Sequence, residues 1–234
     1  MESKSDMKKQ LLFFMCTIVS CVIMIGCHAP KDTQNNSVES VTEPVEDNTE
    51  IKNIISPLPA TIDIHNLENC TVPVSFKQGD AYVDDTGAMQ MDVTVYNYDL
   101  YDMVDIASLK NGDVIIIGEN EVIVDSLERK DRDIFINGGL DYNGYEFRTD
   151  DETVWYECGY NDAKSYYEIG KVTLRVSADM NFYDNSDLDK GEIIYYPGDF
   201  LTNDAGIVYH FVPNNTNIVI ENGMIIEISR SYMP

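Results

Sequence analysis

Along most of this chain apolar and polar residues alternate with period two. The pattern is clearest over residues 89–96, where Met89, Met91, Val93 and Val95 fall on one face and Gln90, Asp92, Thr94 and Tyr96 on the other. That stretch predicts a half-buried strand. Shorter candidates precede it at 62–64, 72–76 and 81–83, and Pro73 assigns its run to a sheet edge because proline cannot donate to a ladder. Beyond it come 114–117, 122–127, 134–136 and 145–147, separated by Lys110-Asn111-Gly112-Asp113, Gly118-Glu119-Asn120, Asn137-Gly138-Gly139 and Asn143-Gly144. After a polar patch at 149–152 the pattern resumes at 153–156, 171–176, 193–196, 207–212, 218–220 and 224–228. Only 161–169, and more weakly 104–109, have spacing that admits a helical turn or two.

Many short strands with glycine turns predict an all-β chain, a sandwich or one to two small barrels. The run Val114-Ile115-Ile116-Ile117 predicts burial on both faces. Asn222-Gly223 has the composition of a type I′ hairpin turn, where both central residues need positive φ. The stretches 114–124 and 218–226 resemble one another. A duplicated module with a boundary near Asp150, giving units 57–150 and 151–234, accounts for this; so does one continuous domain over 57–234 whose hairpins look alike.

Residues 11–27 break the strand pattern. Lys8 and Lys9 precede an apolar run that closes on Gly26-Cys27, the layout of a secretory signal. At 1.5 Å per residue the run reaches roughly 24 Å, short of a hydrocarbon core of about 30 Å. Its end, Met24-Ile25-Gly26-Cys27, resembles the lipobox of bacterial lipoproteins. The resemblance covers only this segment. It implies a signal peptide over 1–26, cleavage before Cys27, a diacylglyceryl group on the Cys27 thiol and residence on the extracytoplasmic face of the cell membrane. At about 0.8 kcal/mol per buried methylene, two acyl chains hold a protein on a bilayer where one does not. From 27 to 56 the residues are mostly Gln, Asn, Ser, Thr, Pro and acids, which predicts a disordered tether.

Charge then narrows the partners. The chain has 16 Lys and Arg against 41 Asp and Glu, a net charge of −25. Nucleic acid is excluded as a main partner, because its binding depends on neutralising phosphates. Of five cysteines, Cys16 and Cys21 lie in the segment that the lipobox resemblance makes the signal, and the same resemblance gives Cys27 the lipid. Cys70 and Cys158 remain, in a setting that permits a disulfide. Such a bridge would add roughly 4–5 kcal/mol on the chain-entropy model; two separate buried thiols are the alternative.

Candidate chemistry is sparse. Asn185, Asp187 and Asp189 have the first three ligand positions of an EF-hand loop, but Lys190 and Tyr196 stand where the loop needs Gly and a bidentate Glu. The motif proper is therefore absent, and a looser calcium site in a turn is the remaining form. Trp155, Tyr156 and Tyr160 lead the densest aromatic group and are candidates for ligand stacking. No zinc-ligand spacing, nucleophile elbow or phosphate loop occurs, no catalytic residue stands out, and no cofactor is indicated beyond calcium. The expectation is a lipid-anchored, acidic β module that binds or scaffolds an envelope protein, peptide or glycan. A carboxylate-dependent glycan hydrolase and a calcium-stabilised structural domain are the alternatives.

Overall fold

In the computed structural model, which describes residues 52–202, 207 and 210–233, the alternating segments become strands. The chain runs β1 (Ile54–Ile55), β2 (Asn69–Ser75), β3 (Ala81–Val83), β4 (Met89–Asn97), β5 (Leu100–Asp102), α1 (Met103–Ser108), β6 (Val114–Ile117), β7 (Asn120–Ile123) and β8 (Leu127–Lys130). It continues β9 (Asp133–Ile136), β10 (Tyr145–Arg148), β11 (Val154–Cys158), β12 (Tyr167–Asn185), β13 (Ile193–Tyr195), α2 (Pro197–Thr202), β14 (Thr216–Glu221) and β15 (Met224–Ser231). The fold is all-β. The segment read as a signal peptide, Cys27 and most of the segment read as a tether lie outside the described residues.

Five strands close on themselves. β12 pairs in parallel with β15; β15 pairs antiparallel with β14, β14 with β2, β2 with β4, and β4 with β12 again. Numbered by chain position, the cycle runs first, second, third, fifth, fourth, a small barrel with a Greek-key crossing, and closure leaves no open edge among those five. β3 and β13 lie beside β4 and β12. The inward positions, among them Val72, Val74, Met91, Val93, Val95, Leu174, Phe182, Ile218 and Ile225, form one apolar cluster.

Between β4 and β12 the chain leaves the barrel and builds a second cluster. A five-stranded sheet ordered β5-β11-β10-β9-β8 and a three-stranded sheet ordered β1-β6-β7 surround Ile55, Tyr101, Ile106, Ile115, Phe147 and Trp155. The buried Tyr101 hydroxyl donates to the Ile116 carbonyl at 2.9 Å, which ties the two sheets together. α1 starts on Asp102, whose carboxylate accepts from the N–H groups of Val104 and Asp105 at 2.7 and 3.3 Å. At its other end Arg129 donates to the carbonyls of Ile106 and Leu109 at 3.1 and 2.8 Å, and the Ile106 carbonyl also accepts from the Leu109 N–H at 3.3 Å. The excursion begins and ends at one place: Asn97 faces Tyr167 in the ladder, and its side-chain amide donates to the Tyr167 hydroxyl at 3.3 Å.

Several expectations change here. Pro73 does not mark an edge, since β2 has a neighbour on each side. Pairing with β14 ends at Pro73 and pairing with β4 begins at Val74, so the missing donor falls at the changeover. Residues 62–64 form no strand; Ile62 and Ile64 pack on the barrel cluster as side chains only. Residues 161–169 form no α-helix: in the turn at Tyr160–Asp162 both Asn161 and Asp162 have positive φ, 61° and 59°, and β12 has begun by Tyr167. α1 fulfils the weaker helical expectation over 104–109. Ile54 and Ile55, at the end of the predicted tether, pair with β6, and Ile55 is buried. Asn222 and Gly223 both have positive φ, 50° and 72°, as the predicted hairpin turn requires. The run 207–212 lies partly outside the described residues, and Phe211 forms a single bridge with Phe76.

Candidate functional site

Because Met91, Val93 and Val95 of β4 point into the barrel, Gln90, Asp92, Thr94 and Tyr96 must point out. Leu174 and Val176 impose the same choice on β12 and turn Lys171, Thr173 and Arg175 outward. Register then sets these residues in rows. Tyr82, Gln90 and Arg175 face one another across β3, β4 and β12. Asp92 faces Thr173, and Ser75, Thr94 and Lys171 form the next row. The Thr173 hydroxyl donates to Asp92 Oδ1 at 2.6 Å, and the Ser75 and Tyr96 hydroxyls are 3.1 Å apart. The result is a polar outer face carrying Lys171, Arg175, Asp92 and several hydroxyls, with Glu168 in the row of Tyr96.

A cleft flanks this face at each end. One, of about 410 Å³, lies against Lys77, Asp80, Asp92, Thr94 and Lys171, with the stacked rings of Phe76 and Phe211 in its wall. The other, of about 400 Å³, is more apolar and lies between Met89, Val176, Leu201 and Met224, with Arg175 at its border. Its β3–β4 turn is fixed by Asp84, whose carboxylate accepts from the Thr86 hydroxyl at 2.6 Å, Gln90 Nε2 at 2.7 Å and the Ala88 N–H at 3.0 Å. Those bonds hold the Asp84 carboxyl well below the usual carboxylate range. Among the described residues, Lys77, Lys171 and Arg175 form no ion pair, and neither do Lys52, Lys110, Arg129 and Lys130, whereas Arg132, Arg148, Lys164, Lys190 and Arg230 do.

The aromatic candidates separate. Trp155 is 7% exposed and belongs to the second cluster, while Tyr156 points the other way. There Lys164 Nζ lies 4.5 Å from the Tyr98 ring centre and 4.8 Å from that of Tyr156, and the Tyr156 hydroxyl donates to Asp150 at 2.7 Å. Only Tyr160, 73% exposed, presents its ring to solvent. Burial and the Asp150 bond both raise the Tyr156 phenol.

In the acidic turn Asn185 donates to Glu192 at 3.1 Å, Asp187 pairs with Lys190 at 2.9 Å, and the Asp189 N–H donates to Asp187 at 3.1 Å. Among the described residues no three His, Cys, Asp or Glu side chains gather as metal ligands. Cys70 and Cys158 are free thiols, so the candidate disulfide is not formed: Cys70 lies in the barrel strand β2 and Cys158 in β11 of the other sheet. Burial pushes the Cys158 thiol up to about 12 and raises that of Cys70. Burial, with the charge of Asp99, also raises the Glu157 carboxyl against the pull of a hydrogen bond from Ser165.

Lys77, Lys171, Arg175 and Asp92 did not stand out in the sequence. The signal was present in the polar positions of the 171–176 alternation, where both ends are cationic in an acidic chain. What it lacked was the knowledge that 171–175 lies beside 90–94. No protein-family model matches this chain, and no curated protein or solved structure matches it either.

Proposed function

We propose that this chain is a membrane-anchored extracytoplasmic lipoprotein whose β domain binds or scaffolds an envelope component through the outer face of β4 and β12. The Met24-Ile25-Gly26-Cys27 signature supports the anchor. The observation that carries the binding role is the outward row Lys171, Thr173, Arg175 set against Asp92 and Thr94, with cations left unpaired in a chain of net charge −25. Five-stranded Greek-key barrels of the OB type bind ligands on the face of their second and third strands, which here are β4 and β12. That parallel is one of architecture and adds weight only because the residues on the face are polar and exposed.

The test compares envelope extract captured by the full chain in detergent with that captured by a Lys171→Glu, Arg175→Glu variant. Components recovered by the wild type and lost from the variant support the reading. An identical set from both removes the face from the function.

A second reading is a carboxylate-dependent hydrolase, with Glu157, whose carboxyl burial raises above its ordinary value, as the candidate acid. Glu157 lines neither of the clefts described above. Hydrolysis of a wall or extracellular glycan that Glu157→Gln abolishes would establish it.

A further inference from the structure

The charges on the β4–β12 face have a spacing, and the spacing selects a ligand. Lys171 and Arg175 are four residues apart on one side of β12, about 13 Å at the rise of a strand. Between them lie no cations but hydroxyls and a carboxylate: Thr94 beside Lys171, and Asp92 bonded to Thr173. A ligand that fits this row has negative groups at intervals and hydrogen-bond donors between them. We propose that the face takes a carboxylate-bearing oligosaccharide, its acidic groups on Lys171 and Arg175 and its ring hydroxyls on Asp92 and Thr173. This rests on the reading of the face as the binding surface.

The alternatives fit less well. A nucleic acid brings a phosphate at every unit, so the charges between its ends would meet Asp92 and the field of an acidic protein. That carboxylate discriminates against continuous polyanions while accepting from a sugar hydroxyl. An apolar ligand would leave Lys171 and Arg175 desolvated without a partner. Tyr82, 39% exposed and in the same row as Gln90 and Arg175, offers a ring beside the path a sugar would take.

Titration calorimetry with the full chain in detergent micelles tests this, using a hexasaccharide in which glucuronic acid alternates with neutral N-acetylglucosamine, and the same hexasaccharide with its carboxylates methyl-esterified. The acid should bind and the ester at least tenfold more weakly. Lys171→Gln and Arg175→Gln should each weaken the acid about tenfold, the worth of one charge-assisted bond, and Lys130→Gln, on the exposed strand β8, should not. Equal binding of acid and ester, or binding indifferent to both substitutions, overturns the proposal. So does silence with the acid. If envelope capture still depends on Lys171 and Arg175 in that case, the acidic-sugar class falls and the binding face stands; if capture is indifferent too, both fall.

Discussion

Arg230 of β15 donates through Nε to Asp184 Oδ1 of β12 at 2.9 Å, and both side chains are buried in the barrel. The guanidinium also lies 4.6 Å from the centre of the Phe211 ring. Burial alone would raise the Asp184 carboxyl, but the bonds from Arg230 and Ser186 outweigh it and the group stays below its ordinary value. A carboxyl depressed in the folded state contributes stability that is complete above its unfolded value, about 4, and is lost as pH falls through the lower folded one. Chemical denaturation between pH 7 and pH 2 should therefore show stability declining below about pH 4. Asp184→Ala should cost roughly 3–5 kcal/mol at pH 7, because Arg230 keeps its charge and its burial while losing its carboxylate.

The two cysteines of the β domain should behave as unequal thiols. Without reductant, unfolded protein should take two alkyl groups, one at Cys70 and one at Cys158. In folded protein at pH 8, Cys158 should react far more slowly than a free cysteine, since it is buried and its thiolate forms only near pH 12. Mass spectrometry after timed alkylation gives both results.

Gly144 follows a 3-10 turn and leads into β10, where backbone approaches closely. A Cβ built there would lie 2.1 Å from the Ile136 carbonyl oxygen and 2.6 Å from that of Asn137. Neither obstacle is a flexible side-chain end. Gly144→Ala should cost at least about 1–3 kcal/mol in thermal or chemical denaturation, as overpacking does elsewhere.

For the anchor, fatty-acid label should enter the wild-type chain in cells and be absent from Cys27→Ala. Label retained by that variant would remove the lipidation reading and with it the membrane location.

Legibility followed the range of the interactions. β4 could be read from 89–96 because alternation is local, and the Asn222-Gly223 turn because its φ requirement is written in two adjacent residues. The pairing of Lys171 with Thr94, and hence the face, could not, since it depends on a register set across an excursion that folds around its own cluster. Trp155 and Tyr156 looked like one aromatic surface in sequence; as neighbours in a strand they had to face opposite ways. Pro73 misled for a related reason: the rule concerns a strand paired continuously on both sides, and β2 exchanges one neighbour for the other at that residue.

The position of β1 determines how the domain would respond to being pulled. Ile54–Ile55 pairs in parallel with Val114–Ile115 and precedes every barrel strand, so tension arriving from the residues before it reaches the second cluster first. β1 meets β6 over two residues, and Asn53 adds to the clamp, its carbonyl accepting from the Val114 N–H at 2.9 Å and its N–H donating to Asp113 Oδ1 at 3.2 Å. The β4–β12 face lies beyond that clamp in the path of the force.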